Sequence, residues 1–221
     1  MKDFVLRAKN IHKIYKNPDV LHILKGIDLD LEKKESIAIM GASGVGKTTL
    51  LHIFGTLESF DKGSLFILNN TNLTNEIRNR HIGFVFQTCN LLEDLTLLEN
   101  ILMPAYISRQ NVKKDSPLYK RALLLLEEVG LEKRVNYLAK SLSGGEKQRA
   151  AIARAFCNDP DIILADEPSG NLDHENSKII HSLLIDSTKK FNKSLIVATH
   201  NAKLASLCDK IYSLEDGNLI L

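Results

Sequence analysis

Eight consecutive residues, Gly41-Ala42-Ser43-Gly44-Val45-Gly46-Lys47-Thr48, fit the pattern G-x-x-x-x-G-K-[ST]. Glycines at 41, 44 and 46, with Ser43 between them, let backbone N–H groups converge on phosphate oxygens, and a helix starting there adds its partial positive charge. Lys47 is placed to neutralise the β- and γ-phosphates of a nucleotide, Thr48 to offer a hydroxyl to Mg²⁺, and Thr49 to reach the α-phosphate. A second group closes the apolar run Ile162-Ile163-Leu164-Ala165 with Asp166-Glu167. Asp166 at a strand end can support Mg²⁺. Side-chain alternation sends Glu167 to the other face, free to orient or deprotonate a water. A third group, Ser143-Gly144-Gly145-Glu146, reads as a capping box whose two glycines expose helix-start N–H groups to an anion.

These residues need elements to hold them. Ile37-Ala38-Ile39-Met40 is a strand running straight into the glycine loop, and Thr49 to Leu57 reads as the helix after it. Further strands are expected over 82–86, 162–165 and 194–199, with a closing hairpin over 212–221 turning at Asp216-Gly217. Helical patterns run from Leu118 to Val129 (Gly130 as C-cap), Glu146 to Asn158, and Ser177 to Phe191. Strands apolar on both faces and interleaved with helices predict an α/β fold whose mostly parallel sheet is covered on both sides. Residues 91–151 carry no convincing strand and read as a helical subdomain, with a basic, solvated segment from Arg109 to Arg121. The expected division is an α/β core of 1–90 and 152–221 with 91–151 inserted.

Composition narrows the class. The 221 residues are 44% hydrophobic and 25% charged, which is globular rather than disordered. The formal net charge of +2 does not mark a nucleic-acid binder. Three cysteines, Cys89, Cys157 and Cys208, lack any C-x-x-C spacing, so reduced cytosolic thiols are expected rather than a disulfide framework or a zinc site. The longest apolar runs fall far short of the ~18–20 residues that span a bilayer, and the first residues offer no apolar core of signal-peptide length.

Leu142-Ser143-Gly144-Gly145-Glu146, lying between the two phosphate motifs, resembles the LSGGQ/LSGGE signature of the ATP-binding cassette (ABC) ATPases. The resemblance extends over essentially the whole chain. It implies a P-loop NTPase core with an N-terminal antiparallel β subdomain and an inserted helical subdomain. It places Tyr15 at the adenine-stacking aromatic, and Gln87, after Phe84-Val85-Phe86, at the Q-loop glutamine that senses Mg²⁺ and the attacking water. Asp173 matches the D-loop aspartate of Ser169-Gly170-Asn171-Leu172-Asp173, and His200 the switch histidine contacting the γ-phosphate. With Glu167 these make the implied catalytic set Glu167, His200 and Gln87, and the Mg²⁺ set Thr48, Gln87 and Asp166. The implied cofactors are ATP and Mg²⁺. The implied assembly is a sandwich in which Ser143, Gly144, Gly145 and Asp173 of one copy close on the nucleotide of a second copy.

The string Leu164-Ala165-Asp166-Glu167-Pro168-Ser169-Gly170-Asn171-Leu172-Asp173 is similar to that of the lipoprotein-releasing, macrolide-exporter and cell-division branch. That likeness implies ATP hydrolysis powering an inner-membrane permease, foremost for lipoprotein release, with the chain peripheral on the cytoplasmic face of the membrane. The macrolide-exporter or cell-division type is the alternative, and a soluble ABC ATPase acting on nucleic acid a more distant one. Lys34, Lys147 and Ser169 stand where the family more often has glycine, arginine or glutamine, and threonine. The segment from Gln87 to Pro104 is expected to form an apolar seat for a short permease helix, with Leu91 and Leu92 as its outward-facing members.

Overall fold

The computed structural model describes residues 3–16 and 20–221. Two sheets organise the chain. Strands β1 (Phe4–Tyr15), β2 (Leu21–Glu32) and β4 (Lys62–Ile67) form a three-stranded antiparallel sheet in the order β2-β1-β4. Strands β3 (Ser36–Met40), β5 (Ile82–Val85), β6 (Ile162–Asp166), β7 (Ser194–Ala198), β8 (Lys210–Glu215) and β9 (Asn218–Ile220) form a second sheet in the order β5-β6-β7-β3-β8-β9. All its pairings are parallel except the β8–β9 hairpin.

The period of two in these strands divides the molecule into two cores. Ala38, Ile163, Ala165, Leu195 and Val197 face one side of the large sheet, while Ile37, Ile39, Ile162, Leu164, Ile196 and Ala198 face the other. On the first side lie α3 (Leu97–Ile107), α4 (Pro117–Glu128), α5 (Gly144–Ala155) and α6 (His174–Lys190). On the second lie α1 (Lys47–Phe54) and the three-stranded sheet. Burial of each Ile or Leu contributes about 1.5–3 kcal/mol. A one-residue slip would exchange the two faces of a strand, so this double burial also fixes register.

Helix boundaries follow local chemistry. The helix expected from Thr49 begins two residues earlier, because Gly46 takes a left-handed conformation (φ 109°) as its N-cap and turns the chain into the helix at Lys47. It ends at Phe54, three residues before Leu57, where Gly55 fits beneath Phe84; a Cβ there would meet the ring at 1.9 Å. Helix α5 starts at Gly144 and stops at Ala155, rather than spanning 146–158, because Ser143 is its N-cap and Phe156 already leaves the helix. Asp173 caps α6, which starts three residues before the expected Ser177. Helix α4 ends at Glu128, with Gly130 left-handed just beyond.

Between Leu91 and Ala151 the chain is helical, with a single isolated bridge pairing Thr96 and Leu138 among the described residues. Helix α5 runs unbroken across Ala151, so the helical region and the α/β core share it. Short helices α2 (Asn75–His81) and α7 (Ala202–Ala205) complete the fold. Among the described residues, no helix is long and apolar enough to cross a membrane.

Candidate functional site

Strands β6, β7 and β3 are neighbours and parallel, so their carboxyl ends open on the same side. In open α/β sheets that edge is where ligands bind. Here it carries Asp166 as the last residue of β6 with Glu167 just beyond it, His200 after β7, and the glycine loop after β3. A cavity of about 550 Å³ is lined by Ser43, Gly44, Gly46, Lys47, Thr48, Thr49, Gln87, Glu167 and His200, with Ile23 of β2 at its side.

The loop is shaped by close approaches. A Cβ on Gly41 would meet the Leu214 carbonyl oxygen at 2.7 Å, and one on Gly46 would meet Ile23 Cγ2 at 2.6 Å. The Lys47 ammonium is nearly buried and donates to the carbonyls of Gly41 and Ala42, each at 2.8 Å. Its Nζ lies 4.0 Å from Glu167 Oε1. The cation is thus held over the loop by the loop's own backbone carbonyls.

The route by which Glu167 reaches the cavity differs from the alternation argument. Strand β6 ends at Asp166, and Glu167 itself is left-handed (φ 42°), its N–H donating to the Ala198 carbonyl at 2.9 Å. A turn, rather than strand alternation, aims the carboxylate. It accepts from His200 Nδ1 at 2.8 Å, from the His200 backbone N–H at 3.1 Å and from Thr199 Oγ1 at 3.3 Å. A non-glycine residue in this region is strained and persists only when its surroundings over-determine it, as these contacts do.

Asp166 is mostly enclosed and hydrogen-bonded to Thr48, and burial pushes its carboxyl above the ordinary range. Its Oδ1 is buried without a hydrogen-bond partner. A carboxylate oxygen orphaned beside a phosphate-loop hydroxyl suits a hard, oxygen-seeking cation, so Thr48 and Asp166 fit Mg²⁺.

Gln87 follows β5 and borders the same cavity. A Cβ on Gly170 would meet its Nε2 at 2.9 Å, and its carbonyl accepts from Asn171 Nδ2 at 3.3 Å. Ser143 caps α5 in the expected capping box: Glu146 N–H donates to Ser143 Oγ at 3.3 Å, and Ser143 N–H to Glu146 Oε2 at 2.9 Å. That backbone hydrogen bond holds the Glu146 carboxyl below its ordinary range. Gly145 packs against Asn176, which donates to Asp173 at 2.6 Å, so the starts of α5 and α6 form one surface.

Ser143, Gly144, Gly145 and Asp173 therefore stand together but do not line the cavity of their own chain. Tyr15 ends β1, exposed, with the Lys13 ammonium 5.1 Å from its ring centroid, and it too is absent from the cavity wall. Ile23 was not singled out by sequence reasoning; its only signal is its place in the apolar alternation of β2.

The family model for ABC transporters matches residues 24–170. The chain belongs to the ABC transporter family. It is 48% identical over 218 residues to the lipoprotein-releasing system ATP-binding protein LolD of Protochlamydia amoebophila, covering 97% of this chain and 96% of that protein. It is 44% identical to LolD of Cytophaga hutchinsonii, covering 98% and 99%. Among solved structures it is similar to MJ0796, a bacterial ABC transporter cassette seen as a dimer, at 37% identity and a TM-score of 0.86 over 97% of this chain and 96% of that one. A post-hydrolysis dimer of MJ0796 bound to ADP and Pi matches equally well. This ABC subunit has the P-loop NTPase core, antiparallel N-terminal sheet and inserted helical region of its relatives, and it is an ATP-binding and ATP-hydrolysing enzyme.

Proposed function

We propose that this chain powers a permease that releases lipoproteins from the inner membrane. The observation that carries the catalytic part is the meeting of Lys47, Glu167 and His200 at the ends of three adjacent parallel strands. The similarity to LolD proteins over nearly the whole of both chains supports the cargo class.

In this reading the glycine loop and Lys47 hold the triphosphate, with Ser43 and Thr49 on the phosphate chain. Thr48 and Asp166, with Gln87 nearby, hold Mg²⁺, which when bound neutralises charge developing between the β- and γ-phosphates. Glu167 orients and deprotonates the attacking water, and His200, tied to Glu167, contacts the γ-phosphate. Tyr15 lies against the adenine. Ser143, Gly144, Gly145 and Asp173 serve the nucleotide of a second copy, as the dimeric MJ0796 cassette suggests. Two identical sites then lie across a two-fold axis, and hydrolysis lets the halves part.

The permease seat is a groove of about 480 Å³ walled by Leu57, Phe84, Phe86, Met103, Pro104 and Ile107. This moves the expected surface. Leu91 packs against the core, Leu97 and Leu98 are buried, and Leu92, though exposed, does not border the groove. Phe86 in the wall directly precedes Gln87 in the cavity, so an occupant of the groove adjoins the phosphate site. Docked there, the chain is peripheral on the cytoplasmic face of the inner membrane.

The test is reconstitution with the permease subunits that co-purify with the chain, in vesicles carrying a labelled lipoprotein. ATP-dependent appearance of lipoprotein in a soluble acceptor supports the reading. ATP turnover with lipoprotein retained, or co-purification with nucleic acid and no permease, contradicts it.

A further inference from the structure

The segment from Phe86 to Asn90 touches both the apolar groove, through Phe86 and Asn90, and the phosphate cavity, through Gln87. Cys89 and Asn90 have left-handed backbones (φ 30° and 49°), an arrangement that a cysteine does not adopt without outside support.

The support comes from α5. Arg154 Nη2 donates to the Cys89 carbonyl and Nη1 to the Asn90 carbonyl, each at 2.6 Å. Six residues earlier on the same helix, Gln148 Nε2 donates to the Phe86 carbonyl at 3.2 Å, and Gln148 Oε1 accepts from Cys89 Sγ at 2.7 Å. Gln148 is buried, so an unmatched amide there is costly. The planar guanidinium presents a fixed fork that two successive carbonyls can share, which an ammonium cannot reproduce. Gln87 sits between these anchors.

We propose that Gln148 and Arg154 are positioning residues: they clamp the strained Phe86–Asn90 turn and so set where Gln87 stands in the phosphate cavity. Helix α5 carries the Ser143 signature at its start and the clamp along its length. Arg154 and Asn90 also border the groove. An occupant of the groove would therefore lie directly against two members of this turn and its clamp, Asn90 and Arg154. The role rests on the ATPase reading above for its kinetic consequence, but the contacts themselves do not.

The test uses the full chain with Gln148→Met, which keeps volume and removes both hydrogen bonds, and Arg154→Lys, which keeps charge and removes the fork. Two readouts apply. In steady-state hydrolysis, displacing Gln87 lowers kcat by ~10-fold or more while KM for ATP is unchanged, since misplacement near reacting atoms is felt in the chemical step. In maleimide labelling, Cys89 reacts at least several-fold faster in Gln148→Met than in wild type. Cys208, whose thiol burial pushes up to about 11, serves as the internal control, and Cys157 is buried.

Faster Cys89 labelling with unchanged Cys208 labelling and a selective fall in kcat supports the clamp. Unchanged Cys89 labelling, or Cys89 and Cys208 rising together, overturns it, the second because it reports general loosening. A fall in kcat and a rise in KM together likewise overturn it. Should the wild-type chain hydrolyse no ATP, the ATPase reading fails, and the labelling comparison still decides whether the clamp exists.

Discussion

Glu167 and His200 are bonded twice, through the histidine ring (Nδ1 to Oε1, 2.8 Å) and through its backbone N–H (3.1 Å to the same oxygen). A carboxylate only accepts, so the ring proton sits on Nδ1 and Nε2 is left for another partner. In the proposed mechanism Glu167, 4.0 Å from the Lys47 ammonium, is the group that takes the proton from water. Glu167→Gln keeps the shape and removes the base. The expected loss in hydrolysis is ~10²–10⁴-fold with ATP binding intact. An ATP-stabilised dimer should then persist on gel filtration; turnover near the wild-type rate would remove Glu167 from this role.

Asp166 makes a prediction of opposite sign for stability. Burial raises its folded-state carboxyl above the ordinary 3.8. Its favourable contribution is therefore complete below the unfolded value and lost as pH rises through the folded one, so at neutral pH the charge is a burden. Asp166→Asn should raise the melting temperature of the nucleotide-free protein at pH 7. It should also abolish the extra stabilisation that Mg²⁺ adds to ATP. A variant less stable without nucleotide, or one still responding to Mg²⁺, contradicts this assignment.

His181 gives a pH dependence. It is buried in α6, shares a 2.7 Å hydrogen bond with Ser169 Oγ, and burial holds its pKa below 6.5. With the folded pKa depressed, the stability it supports is present above 6.5 and is lost as pH falls, because the unfolded chain takes the proton first. His181→Gln retains a polar partner for Ser169 and removes the titration. Denaturant unfolding from pH 7 to 5 should show a shallower loss of stability in the variant; parallel curves would show that His181 does not titrate in this window.

The groove predicts separable activities. Ile107 is 68% exposed on its rim, so Ile107→Asp is compatible with folding. The variant should hydrolyse ATP like wild type as an isolated subunit and fail to co-purify with the permease. Undiminished association would place the docking surface elsewhere.

What could be read from the residues alone depended on how local the cause was. The core strands were legible because Ile37-Ala38-Ile39 and Ile162-Ile163-Leu164-Ala165 are apolar at every position, which only two-sided burial explains. The capping box at Ser143 was legible because its partner is three residues away. The conformation of Glu167 was not, because it is imposed by His200, thirty-three residues on. The Gln148–Arg154 clamp was hidden for the same reason. It joins residues 59 to 65 positions apart, and both side chains look like ordinary helix surface. Tyr15 carries a role implied only by family likeness, and its own chain's cavity does not include it.

The central claim is that each hydrolytic site joins the cavity of one copy to the Ser143 signature of another. Complementation between two inactive variants tests it most directly. Glu167→Gln spoils a cavity and leaves its signature whole; Ser143→Arg spoils a signature and leaves its cavity whole. In their mixed dimer one site combines both lesions and the other combines neither. The ATPase rate of the mixture should therefore rise clearly above the sum of the two variants measured apart, whereas a mixture no faster than that sum would show that each site is complete within a single chain.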